Sequence, residues 1–345
     1  MRNSSFCLLL VVFFVLPGTV SAQQDGGADG KEANRRGDLK LPRPGEGENW
    51  QVLEDVKSGL RPQPPFEFQK DEEPEFVREM VRVQWRTGDP IDLYVLRPKT
   101  SGKVPVVLYL YSFPSDSAQF RDDGWGKRAT AQGFAAVAFV SALTGQRYHQ
   151  RPMKQWFLTE LPESLGSSVH DVQLILNYLT ERGDMDMEHV GMIGIGSGAT
   201  IAILAAHADP RIKALDLLDP WGDWLDWLRD SPAIPDEERA KYTAPEFLKS
   251  VAKLDPVAYL PSLKTPLRLR QTLSEPVMPK SAREKIATSL RDPRLLTRYA
   301  NPEVLAQTWQ VEGLSGWIKQ LLRSQMQAEG RTGGLTAPGS NSAAN

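Results

Sequence analysis

Four stretches of this chain are apolar at nearly every position: VPVVLYLYSF from Val104 to Phe113, AAVAFVSA from Ala135, HVGMIGI from His189 and IKALDLLDP from Ile212. Continuous apolar runs of this length are what strands buried on both faces require. Other stretches have helical patterns between and around them. GWGKRATAQGF predicts a helix ended near Gly133. SSVHDVQLILNYLTERGD sets Val169, Val172, Leu176 and Leu179 at helical spacing, with Ser167 or Ser168 as the cap and Gly183 as the stop. Thr200 to His207 predicts another helix, and LSGWIKQLLRS an amphipathic one near the end. MVRVQWRTGDPIDLYVLRP predicts two strands around a turn at Gly88-Asp89-Pro90, and PLRLRQTL one more strand. The alternation defines an α/β protein with a mostly parallel central sheet covered by helices on both faces. No internal repeat is present.

The alternation breaks between about residues 220 and 264. This segment is helical and carries Trp221, Trp224 and Trp227. Two readings follow. The helices cap the sheet and the tryptophans fill the contact, or they form a short lid over a pocket for an apolar or aromatic ligand. The second draws on position, since ligands of open α/β sheets bind at the C-terminal ends of the strands.

The ends differ from the middle. Met1-Arg2-Asn3, the apolar run FCLLLVVFFVL and the small-residue stretch PGTVSA form a secretory signal peptide over residues 1–22, with cleavage near Ala22. The run is too short for a typical membrane span, so no membrane association is expected after cleavage. The chain is therefore expected to be exported, to the periplasm or the extracellular space. Residues 23–49 are polar and rich in Gly, Asp, Arg and Pro, as a disordered linker would be. The folded domain is expected over 50–325, with a loose tail over 326–345. Cys7 is the sole cysteine, so the cleaved chain would have neither disulfide nor thiol nucleophile. The 41 basic and 43 acidic residues give a net charge of −2 without a basic stripe, which argues against a nucleic-acid partner.

The stretch VGMIGIGSGATIAILAAHADPRIKAL, from Val190, is the most specific in the chain. With VPVVLYLYSF, AQGFAAVAFV and LSEPVMPKSAREKI, it resembles the α/β-hydrolase superfamily, nearest to its secreted esterase, dienelactone-hydrolase and prolyl-oligopeptidase-like branch. The resemblance covers about Val81 to Leu322. It implies a nucleophilic serine at a sharp G-x-S-x-G turn between strand and helix. Here Gly194 and Gly198 match the outer glycines, and Gly196 stands where the nucleophile belongs. Thr200, Ala202 and Asp209-Pro210-Arg211 keep their distances in that alignment. A slipped turn with Ser197 at its apex is the alternative.

The resemblance also implies a histidine near the last helix as base and a carboxylate to orient it. The histidines are His149, His170, His189 and His207, and none follows His207. The base position falls in LAQTWQVEGLSGWI, where Gln307, Thr308 and Gln310 cannot act as a base at neutral pH. His149, in a loop after a strand end, is the fallback base. Glu275 holds the acid position, and Asp219 is a second acid, or a cap for the helix that follows it. Tyr111-Ser112 replaces the His-Gly common beside the oxyanion site, and both are candidate ligand contacts together with Trp221 and Trp224.

No metal-ligand spacing, P-loop or convincing dinucleotide turn is found, so neither metal nor cofactor is expected. The sequence thus points to a hydrolase-fold protein that has lost Ser-His-acid catalysis and binds a small apolar or ester-like ligand, or a partner. The alternative is an active serine hydrolase of acyl esters or peptides using Ser197, Glu275 and His149. A third reading is a structural domain whose pocket is filled by the tryptophans.

Overall fold

The computed structural model describes residues 65–84, 90–111, 118–139, 141–142, 161–292 and 295–333. The signal peptide, the linker, the turn at Gly88-Asp89, Ser112 and His149 fall outside them. A nine-stranded sheet runs through the described residues: β1 (Phe66–Glu72), β2 (Phe76–Val83), β3 (Ile91–Pro98), β4 (Val104–Leu110), β5 (Ala135–Phe139), β6 (Met185–Ile195), β7 (Ile212–Leu218), β8 (Leu267–Thr272) and β9 (Leu296–Tyr299). Its spatial order is β1-β2-β3-β5-β4-β6-β7-β8-β9. Pairing is antiparallel through β1, β2, β3 and β5, and parallel from β5 to β9.

Among the described residues the α-helices are α1 (Asp123–Thr130), α2 (Leu161–Arg182), α3 (Ser197–Ala208), α4 (Trp224–Asp230), α5 (Arg239–Tyr242), α6 (Pro245–Val251), α7 (Lys280–Thr288), α8 (Pro302–Glu312) and α9 (Gly316–Gly333). The period of two along each strand sorts the core into two layers. Val106, Leu108, Val190, Met192, Leu215 and Leu217 pack with α2 and α3 on one face. Val107, Tyr109, Ile193 and Ala214 meet Phe120, Trp125, Ile318 and Leu322 of the α1 and α9 side on the other. Gly191 is small because α9 lies directly on it: a Cβ there would stand 2.7 Å from Ile318 Cδ1.

Several expectations need correction. Ser167 and Ser168 do not cap α2, which begins at Leu161; both are buried inside it, and the Ser168 hydroxyl accepts from the Ala142 amide at 3.1 Å. The helix ends as expected beside Gly183, which takes φ +75°. The described chain does not loosen at residue 325. α9 continues to Gly333, and its far half is tied to strand starts by Gln325 Nε2 on the Lys213 carbonyl at 3.4 Å and Glu329 beside His189 at 3.2 Å. Residues 334–345 lie outside the described residues. β1, β9 and α8 had no counterpart in the apolar pattern.

Strand order reverses between β4 and β6, since β4 leads to β5 on one side and β6 leads to β7 on the other. Such a switch point opens a crevice at the strands' C-terminal ends. Leu110 ends β4 there, and the GIGSG turn follows β6.

Candidate functional site at the β6–α3 turn

Gly196 is the single residue between β6 and α3. Its backbone takes φ +56° and ψ −121°, a region that glycine enters freely and that costs a residue with a side chain roughly 1–3 kcal/mol. The turn is held firmly. Gly196 N donates to Leu218 O at 2.8 Å, and Gly196 O accepts from Ala199 N at 3.0 Å and Thr200 N at 3.2 Å. The outer glycines are required by contact rather than by dihedral angle. A Cβ on Gly194 would lie 2.4 Å from Ala199 Cα, and one on Gly198 would lie 2.4 Å from the Leu110 carbonyl oxygen. Strand, turn and helix thus meet as closely as the G-x-S-x-G pattern demands, with Gly196 at the strained apex. Ser197 is the first residue of α3 and is fully buried.

Glu275 follows β8, at the place read for the acid. Its two carboxylate oxygens accept from the amides of Val277 at 3.1 Å and Met278 at 2.8 Å. Arg283 binds the same loop through the carbonyls of Leu273, Glu275 and Met278. Burial raises the Glu275 pKa against the pull of those amides. The carboxylate therefore closes its own loop.

Asp219 does not cap the next helix, whose N-terminal cap position is Asp223. Asp219 itself takes φ +46°, donates its amide to Arg270 O at 2.9 Å, and accepts from Thr272 N at 2.8 Å. Burial, with the nearby Glu275 charge adding to it, pushes its pKa up to about 7.

The three described histidines are dispersed. His189 lies on β6 between Asp186 at 2.8 Å and Glu329 at 3.2 Å, about 20 Å along the strand from Gly196. His207 ends α3, about 16 Å along the helix from the turn, with its ring 4.4 Å from that of Tyr259. His170 sits within α2. The segment read as the base position forms α8 and the turn after it. There Leu305 and Trp309 pack with Leu218, Tyr299 and Ile195 beside the Gly196 turn.

Tyr111, just past β4, has its ring 5.5 Å from Phe120, and its hydroxyl accepts from Trp125 Nε1 at 3.1 Å. Burial raises its pKa to about 12. The hydroxyl is committed to the α1 side. The tryptophans pack on one another. Trp221 stacks on Trp227 at 5.0 Å, Trp224 meets Trp227 edge-on at 5.7 Å, and Trp224 Nε1 donates to Leu254 O at 3.0 Å. All three are buried in the same core as α2 and α3. Among the described residues no group of three or more His, Cys, Asp or Glu is arranged to hold a metal ion.

One polar group near the turn was not anticipated. Arg268 and Arg270 both reach Asp216 on the α9 side of the sheet. The signal was present in LRLRQT, where two arginines two residues apart share one face of a strand.

The covered parallel sheet, the switch point and the glycine-flanked turn define an α/β-hydrolase-fold protein. The sequence model of the X-Pro dipeptidyl-peptidase (S15) family matches residues 87–253. The structure is similar to acetyl xylan esterase 1 from a Thermoanaerobacterium species, with TM-score 0.61, 16% identity, and coverage of 80% of this chain and 96% of that one. An acetyl xylan esterase from a Paenibacillus species is similar too, with TM-score 0.59, 15% identity, and coverage of 76% and 92%. No curated protein sequence matches at a significant level.

Proposed function

We propose that this chain is an exported α/β-hydrolase-fold protein that binds a small ligand, apolar or ester-like, at the strand ends around Gly196 and does not hydrolyse it by Ser-His-acid chemistry. The observation that carries this reading is the glycine at φ +56° and ψ −121°, the conformation in which this fold strains its nucleophile. Two further features support it. No histidine follows His207 in the sequence. The carboxylate of Glu275 is occupied by Val277 and Met278 amides. Loss of the nucleophile or base alone lowers turnover by up to about a millionfold in a serine hydrolase. Export rests on the residue pattern of positions 1–22.

The test is hydrolysis of p-nitrophenyl acetate by purified protein and by Ser197→Ala. The expected result is the buffer rate for both. Turnover by the wild type that disappears in Ser197→Ala would overturn the reading and make Ser197 a displaced nucleophile.

A further inference from the structure

Arg270 is fully buried on β8. Its Nε stands 2.9 Å from Asp216 Oδ1. That carboxylate is already engaged by Arg268, through Nε to Oδ1 at 3.2 Å and Nη2 to Oδ2 at 2.8 Å. Neither Nε nor Nη2 of Arg270 makes a well-directed hydrogen bond. The guanidinium lies 5.6 Å from the Trp309 ring centroid, and Trp309 Nε1 is likewise buried without an acceptor. A guanidinium has five donors and stays charged at any pH a protein tolerates, so it cannot escape this by losing a proton. Buried polar atoms without partners call for an explanation, and an ion, a ligand group or an ordered water supplies one.

The location is specific. Leu218 pairs with Ile195 on one side and Arg270 on the other, so these side chains share one face of the sheet. Arg270 is two strand spacings, about 10 Å, from the chain that carries Gly196. Leu218, Tyr299 and Leu305 surround Trp309 with apolar surface.

We propose that Arg270 and Trp309 form an anion-binding subsite beside the Gly196 turn, and that its ligand is a carboxylate carrying a short apolar chain. The planar two-oxygen acceptor suits a guanidinium edge and an adjacent indole N–H, and its charge offsets that of Arg270. An ester offers only a neutral carbonyl, so the subsite favours the acid over its ester. This assignment rests on the reading of the turn as a binding site rather than a site of turnover.

The experiment measures thermal unfolding and titration calorimetry of the purified protein with acetate, phosphate and chloride at matched ionic strength. It includes Trp309→Phe, which keeps the ring and removes the N–H, and Arg270→Met. Acetate is expected to raise Tm in a saturable way that phosphate and chloride do not match. Trp309→Phe should weaken acetate about tenfold, and Arg270→Met should abolish the effect. No acetate-specific shift in the wild type, an undiminished one in Trp309→Phe, or an equal response to phosphate overturns the assignment. If Arg270→Met does not fold, Trp309→Phe decides. Ester hydrolysis is scored separately. Acetate binding with Ser197-dependent turnover keeps the subsite and overturns the non-catalytic reading. Absence of both overturns the subsite alone.

Discussion

At the residue scale, the turn separates two uses of glycine. Gly196 is defined by its dihedral angles, whereas Gly194 and Gly198 are defined by backbone atoms that leave no room for a Cβ. The substitutions should differ accordingly. Gly196→Ser restores the nucleophile's residue type at a cost of roughly 1–3 kcal/mol in left-handed strain. It should fold, with a lowered urea midpoint, and still release no p-nitrophenol from the acetate ester, because no histidine follows His207 to serve it as base. Gly198→Ala pushes a methyl toward the Leu110 carbonyl carbon and oxygen, at 2.7 and 2.4 Å. Neither neighbour is a flexible side chain, so the loss should reach about 3 kcal/mol or more. Equal urea midpoints for the two variants would show that the turn relaxes and that the contacts do not define it.

At the element scale, the α8 helix is what the chain forms over the segment read as the base position. This helix is started by Asn301, whose side chain accepts from Val304 N at 3.0 Å. It turns Leu305 and Trp309 into the space beside the elbow. The next helix, α9, is fixed by a different device. Lys319 is 2% exposed and donates from Nζ to the carbonyls of Ala129 at 2.7 Å, Ala131 at 3.0 Å and Arg128 at 3.3 Å. These are orphan acceptors at the end of α1, which a buried cation can satisfy. Burial pulls the Lys319 pKa down to about 8. Lys319→Met should leave those carbonyls unsatisfied and lower stability by about 2–3 kcal/mol in urea unfolding, with the sheet retained. An unchanged midpoint would mean that water serves them equally well.

The same elements show what a sequence can and cannot reveal. β4 to β7 were legible because most of their positions are buried on both faces, so their sequences are apolar at nearly every position, whereas β8 was legible from the short alternating run LRLRQT. β1 was not, because FEFQKDE is almost wholly exposed and is a strand only through its backbone pairing with β2. β9 has four residues, of which Tyr299 alone is buried. The apex of the turn could be read because Gly194 and Gly198 flank Gly196 at fixed spacing. The commitment of Glu275 to its own loop could not, because it depends on which amides the chain brings back to it. Arg270 was visible as a strand residue, yet its significance depends on Trp309 from an unanticipated helix.

At the scale of the whole molecule, the sheet keeps ionisable groups at its C-terminal ends in the absence of a described base for them to serve. Asp219 is the clearest case, since a carboxyl with a pKa of about 7 inside the fold and near 3.8 outside it couples protonation to global stability. Between those values the folded chain holds a proton that the unfolded chain has released. The contribution is fully present below pH 4 and is lost as pH rises through 7, the reverse of the usual salt-bridged carboxylate. At about 1.36 kcal/mol per unit, the loss approaches about 4 kcal/mol. Asp184, whose pKa Arg182 holds below the usual range, acts in the opposite sense, so the wild-type profile alone is a mixture. Asp219→Asn isolates the effect, because the amide oxygen can still accept from Thr272 N and carries no charge at any pH. Urea unfolding of both proteins from pH 4 to pH 8 should show the variant gaining on the wild type by several kcal/mol, most of it between pH 5 and 7. Parallel profiles would mean that Asp219 is hydrated or paired enough to ionise normally. The C-terminal ends of the sheet would then be open to water at Asp219, and its burial would no longer explain its titration.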